Sequence, residues 1–267
     1  MRRSAFPLTV LAFGYAFLYL PIAILIVYSF NDNRLVTVWS HFSTRWYGEL
    51  FHNPQIGDAL WLSLRVAAVS ATASAVLGTL AAFVMQRAGR FAGRSAFEVL
   101  ATAPLILPEV LTGLSLLLLF VFLGEAIGWP AQRGADTITL AHIPFGMAYA
   151  AVVIRARLSQ IDPLLEEAAA DLGATPWRTF LRVSLPLLLP AIFAAWLLAF
   201  TLSLDDVVIA SFVTGPGATT LPIVIFSSVR LGVSPQINAL ATLLVLGVAV
   251  LIVTAMLMVR RAERAAP

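Results

Sequence analysis

Three carboxylates interrupt stretches of this chain that are otherwise almost wholly apolar. They are Glu109 in APLILPEVLTGLSLLLLF, and Asp205 and Asp206 in AFTLSLDDVVIASF. An ionisable group inside a membrane span costs about 2.5–3.5 kcal/mol on insertion scales, so such groups face cavities, pair with one another or mark a solute path. A cavity with surplus negative charge attracts cations. Pro104 and Pro108 disturb the helix beside Glu109 and free backbone carbonyls there. Thr201, Ser203 and Ser211 flank the aspartates. Arg65 is the only nearby basic candidate, so a structural ion pair with Asp205 or Asp206 competes with cation contact. Pairing with another subunit, or exposure to water at the interface, competes as well. Adjacent residues on a helix point apart, so both aspartates are not expected to line one pore.

A second polar stretch, Glu166 to Pro190, reads EEAAADLGATPWRTFLRVSLPLLLP. Asp162-Pro163 offers an N-cap and first helical position, and Glu166 and Glu167 fall in the first turn, where carboxylates suit the helix dipole. Gly173 ends that helix in a left-handed cap. Thr175-Pro176 starts a second helix, expected to enter the membrane at Pro186. Ala168, Ala169 and Ala170 form a small-residue face on which another protein can close, and Glu166 and Glu167 offer charge to a basic rim. An ordinary amphipathic loop lying on the membrane accounts for the alanines but not for the spacing EAA-x3-G-x9-V-x-LP, which adds Val183, Leu185 and Pro186.

The elements that must position these residues are membrane helices. The chain of 267 residues is 60% hydrophobic, against about 45–50% for soluble domains, and its mean hydropathy is +0.91. A span needs roughly 20 apolar residues. Six segments qualify: Leu8 to Phe30, Ala59 to Gln86, Glu98 to Leu123, Thr137 to Ile154, Leu187 to Phe212 and Ile237 to Val259. The first exceeds the apolar core of a signal peptide and is expected to be a retained anchor.

Loop arginines set the topology. With the N-terminus inside, 12 arginines lie in inner loops and only Arg34, Arg45, Arg133 and Arg230 lie outside, with Arg65 near the outer face. Both termini and the Glu166–Pro190 loop are therefore expected in the cytoplasm. The isoelectric point near 9.8 follows from this bias and implies no nucleic-acid partner. The aromatics of the outer loop, Trp39, Phe42, Trp46, Tyr47 and Phe51, suit the membrane surface.

Chemistry within the chain is narrowly bounded. All 17 basic residues are arginines, and there is no cysteine. Disulfides, thiolate metal sites and cysteine nucleophiles are excluded, and a phosphate-binding loop that needs lysine cannot form. His41, His52 and His142 lie in distant segments, with no metal-ligand spacing. No cofactor is expected.

The Glu167-Ala168-Ala169…Gly173…Val183-x-Leu185-Pro186 spacing resembles the cytoplasmic EAA loop of the membrane subunits of binding-protein-dependent ABC importers. In that family the loop docks into the ATP-hydrolysing subunit. The resemblance reaches further, to the second membrane subunit of bacterial putrescine/spermidine importers. It is carried by Leu35–Trp39, Thr44–Tyr47, Thr112–Phe120, Ala126–Pro130, Ala199–Asp206, Ala210–Phe212 and Gly215–Pro222. It implies an all-α polytopic membrane protein of six transmembrane helices with a MetI-like type I importer fold. Residues 1–56 would be an anchor helix and outer loop, 57–256 the transport domain and 257–267 a cytoplasmic tail. It also implies two ATP-binding cassette subunits, a second homologous permease, a periplasmic polyamine-binding protein and a polyamine cargo moved by alternating access across the bacterial inner membrane.

Rival readings are an importer for ferric ion, thiamine or an anion, an ATPase-independent secondary transporter or channel, and a membrane enzyme. The Gly215–Pro222 turn and the apolar Leu221–Leu231 segment suit either a surface for the binding protein or a connection that closes the bundle.

Overall fold

The computed structural model describes residues 5–34, 38–232 and 234–265, without the side chains of 5, 6, 231 and 251–265. The chain forms two compact units, one of residues 1–57 and 225–267 and one of Asp58–Val224. Among the described residues the regular structure is helical, with one isolated bridge between Asn31 and Phe42.

The first unit holds α1 (Ala5–Tyr28), α2 (Arg45–Phe51) and α12 (Pro235–Ala265), together with most of α11 (Leu221–Leu231). Helix α1 is apolar on every face and exposed along its length, as a lipid-facing helix must be. Beyond it the chain folds around Asn31. The Asn31 amide donates to the Val38 carbonyl at 2.8 Å, its Oδ1 accepts from the Ser40 amide at 3.0 Å, and its carbonyl accepts from Trp46 Nε1 at 2.7 Å. These bonds satisfy the backbone where the helix stops.

The second unit contains α3 (Pro54–Arg87, from Asp58 on), α4 (Arg94–Thr102), α5 (Glu109–Ile127), α6 (Ala135–Leu158), α7 (Leu164–Asp171), α8 (Pro176–Thr179), α9 (Leu185–Leu204) and α10 (Val208–Val213). In a bilayer, helices associate through close packing rather than expulsion of water, so small residues mark the seams. A Cβ on Gly78 would stand 2.6 Å from the Ala150 Cβ, and one on Gly146 2.6 Å from Ser74 Oγ and 3.2 Å from the Ala199 Cβ. Helices α3, α6 and α9 thus meet nearly backbone to backbone. Gly113 brings α5 equally close to Ile209 and Phe212 of α10.

Among the described residues five helices are long and apolar enough to cross a bilayer: Pro7–Tyr28, Pro54–Arg87, Glu109–Ile127, Ala135–Leu158 and Pro176–Leu204. Helix α12 corresponds to the sixth expected span, with an apolar part from Pro235 to Val250; its side chains beyond 250 lie outside the described residues.

Two expected spans are not continuous helices. The Glu98–Leu123 segment is divided into α4, a tight 3-10 turn at Ala103–Leu105, and α5, which begins at Glu109 after Pro108. Pro104 and Pro108 lack the amides to carry a helix through. The Leu187–Phe212 segment breaks at Asp205–Val207. The second helix of the polar loop begins at Pro176, as expected, and runs through a π turn at Phe180–Ser184 into α9. Pro186 cannot donate to the carbonyl one turn back, and a wider π turn accommodates its ring.

Candidate functional site

The helix breaks bring the three intramembrane carboxylates together. Glu109, Asp205 and Asp206 line one cavity of about 280 Å³ with Phe145, Leu202, Val207 and Val208. Glu109 sits in the first turn of α5 rather than inside a continuous span, so its charge faces the positive end of that helix. Glu109 and Asp205 are exposed to the cavity side, whereas Asp206 is turned inward.

Asp206 is held on both oxygens. Its Oδ2 accepts from the Ala210 amide at 2.7 Å and its Oδ1 from the Ile209 amide at 3.3 Å. The carboxylate takes over donors at the first turn of α10, which is why the helix ends at Leu204 and restarts at Val208. His142 Nε2 lies 3.2 Å from Asp206 Oδ2, and His142 Nδ1 lies 2.6 Å from Ser203 Oγ. Ser70 Oγ of α3 donates to Ser203 Oγ at 3.0 Å. A buried polar chain thus crosses α3, α9, α6 and the break. The His142 ring thus bridges the Asp206 carboxylate on its Nε2 side and the Ser203 hydroxyl on its Nδ1 side.

Arg65 is not the partner of these aspartates. It lies in a separate groove with Trp129, Asp136 and Thr139, and among the described residues no ion pair joins it to Asp205 or Asp206. The residue that does pair is His142, whose place in the sequence suggests no partner for its ring. An ionisable ring within an apolar span was the available signal, the same one that marked the carboxylates.

The polar loop folds largely as its residues dictate. Asp162 Oδ1 accepts from the Leu164 amide at 3.0 Å. Gly173 adopts φ +81°. The Gly173 amide bonds the Ala170 carbonyl at 2.8 Å and the Ala174 amide the Ala169 carbonyl at 2.9 Å. That pair of bonds closes a Schellman cap. Glu167, Ala168 and Ala170 are exposed and Ala169 half-buried. Val183 lies half-buried in the π turn, and Leu185 and Pro186 open α9.

Glu166 departs from expectation. Its Oε2 pairs with Arg87 Nε at 3.1 Å and its Oε1 accepts from Ser184 Oγ at 2.8 Å. Its charge is spent within the fold, so of the two glutamates Glu167 alone is presented outward. Leu172, 90% exposed at the tip of the turn, and Trp177, also exposed, extend the alanine face with apolar surface. Trp177 lines a cavity of about 740 Å³ together with Glu166, Glu167, Ala170 and Phe180 among others. An apolar patch rimmed by charge on a loop is the mark of a protein contact.

Comparison with known proteins shows the family. Residues 74–266 match the family described as binding-protein-dependent transport system inner membrane component. The chain is 57% identical over 262 residues to the putrescine transport system permease protein PotI of Escherichia coli K12, covering 98% of this chain and 93% of that protein. It is 40% identical over 246 residues to the spermidine/putrescine transport system permease protein PotC of the same organism, covering 92% and 90%. Among solved structures, a subunit of a bacterial ABC transporter importing the acidic polysaccharide alginate superposes with a TM-score of 0.75 at 18% identity, covering 98% of this chain and 95% of that one. That last likeness shows the fold alone. The expected all-helical importer fold is therefore the observed one, and the chain belongs to the binding-protein-dependent transport system inner membrane components, as a multi-pass membrane permease.

Proposed function

We propose that this chain is the permease subunit of an ATP-driven importer of polyamines. The observation that carries this reading is the shared pocket of Glu109, Asp205 and Asp206 beside the ring of Phe145. A polyamine combines several ammonium charges with methylene spacers, so open carboxylates and an aromatic face suit it together, the latter by cation–π contact. The relatives named for putrescine and spermidine support the same cargo. An anion would be repelled by this pocket.

The exposed loop centred on Glu167, Ala168, Ala169 and Gly173 is the docking element for a separate ATPase. Two such subunits, a second homologous permease and a periplasmic polyamine-binding protein complete the assembly. Residues 57–256 form the transport core, preceded by an anchor and followed by a short cytoplasmic tail. Both termini face the cytoplasm, as the arginine bias requires. Cargo passes by alternating access, each state being selected by the partner that binds it better.

Reconstitution of the complete complex with labelled putrescine and spermidine tests this. ATP-dependent uptake of either is the expected result. Transport of an anion or a neutral solute, with uptake of neither polyamine, would overturn it.

A further inference from the structure

Glu166 is the one acidic residue of the docking loop that turns inward, and it meets two transmembrane helices at once. Arg87, the last residue of α3, places Nε 3.1 Å from Glu166 Oε2, with both side chains 21% exposed. Ser184 donates to Glu166 Oε1 at 2.8 Å. Arg87 Nη2 also donates to the Ile161 carbonyl at 3.2 Å, which holds the segment leading into α7. Ser184 ends the π turn that precedes α9. Such turns insert a residue into the helical register and concentrate at functional sites.

We propose that Glu166 is a positioning residue for transport: a latch that ties α7 to the ends of α3 and α9, so that movement of the docked loop is passed to the membrane helices. Helix α7 is short, largely exposed and joined to its neighbours by turns, so apolar contact alone would let it slide. The Ser184 hydroxyl bond on one oxygen is directional, and the Arg87 ion pair on the other, close in distance but without hydrogen-bond alignment, is shielded and so weakly screened by salt; together they resist sliding. Glu167, Ala168 and Leu172 are exposed, whereas Glu166, which lines the same cavity as Glu167, is half-buried by its ion pair. Docking and transmission are thus assigned to different residues, and this inference rests on the docking reading above.

The test uses the reconstituted complex with binding protein and labelled putrescine, and compares E166A, E166Q, the exchange R87E/E166R, and E167K. Two quantities are read: ATPase subunits retained on purification, and polyamine taken up per ATP hydrolysed. E166A is expected to retain the ATPase subunits as the wild type does, with uptake per ATP reduced at least about fivefold, the lower edge of ordinary coupling effects. E166Q, which keeps an acceptor for Ser184, should fall between them. The exchange should recover part of the loss, as a direct pair requires. An unchanged ratio in E166A overturns the latch, as does loss of the ATPase subunits from E166A to the extent seen in E167K. Failure of both E166A and E166Q to yield folded protein overturns it too, by making the role structural. Retention of the ATPase subunits by E167K would sink the docking reading instead, and is scored separately from the ratio.

Discussion

The Nε2 of His142 lies 3.2 Å from the Oδ2 of Asp206, and both side chains are almost wholly shielded, at 4% and 9% exposure. This pair divides the work of two neighbouring aspartates. Asp206 is consumed by His142 and by the amides that begin α10, so it shapes the break. Asp205, one residue earlier, lines the cavity with Glu109, and among the described residues no ion pair holds it. The same break that separates the two side chains places Asp205 there.

Replacement of His142 by alanine should destabilise the protein. A hydrogen bond to a charged group contributes about 1.5–3 kcal/mol. Asp206 keeps its two amide donors, so the loss should stay below the roughly 3–5 kcal/mol of an orphaned buried charge. Ser203→Ala removes its two bonds, to Ser70 and His142, each worth about 0.6 kcal/mol on average within membranes. Unfolding in detergent should rank the variants in that order.

The three carboxylates should separate by phenotype. Asp205→Asn and Glu109→Gln should raise the KM for polyamine uptake about tenfold each, the equivalent of 1.4 kcal/mol, with normal amounts of folded protein. Asp206→Asn should chiefly lower the yield and the thermal midpoint. Equal KM effects from all three would remove the distinction between contact and scaffold.

Gly173 is constrained by conformation and not by space, since a Cβ there would meet nothing within 4 Å. Gly173→Ala should cost about 1–2 kcal/mol for the left-handed backbone. Gly173→Asn should cost less, because its short polar side chain tolerates that region. Retention of the ATPase subunits on purification should follow the same order.

Gly78 presents the opposite case. A Cβ would stand 2.6 Å from the Ala150 Cβ and 2.9 Å from the Ala151 nitrogen, so α3 and α6 must separate. Gly78→Ala should destabilise by about 1–3 kcal/mol, as overpacking does. Gly57→Ala, with nothing within 4 Å, is the control, measured by thermal unfolding in the same detergent.

Much of this architecture was legible one residue at a time. Apolar runs locate the spans because each must satisfy its backbone internally across a fixed thickness. Asp162, Gly173 and Pro176 locate the ends of the loop helices because caps are short-range chemistry. Glu109, Asp205 and Asp206 announce themselves because a charge among apolar residues has few places to go. Where hydropathy misled was at Pro104–Pro108 and at Asp205–Val207: apolar composition runs straight through both breaks, and a hydropathy pattern reports burial in lipid without reporting helix continuity.

By itself, then, the sequence determined the class of protein, the apolar segments, the helix ends of the polar loop and the three carboxylates, all of which depend on local composition or on spacing within a turn or two. Tertiary structure alone decided who pairs with whom. His142 and Asp206 are 64 residues apart, and Arg87 and Glu166 belong to different helices. A single chain offers many candidate partners for a charge. The choice among them is made by the packing of α3, α6 and α9 at their small-residue seams, which no local pattern encodes. That packing turned Asp206 and Glu166 inward and left Asp205, Glu109 and Glu167 exposed.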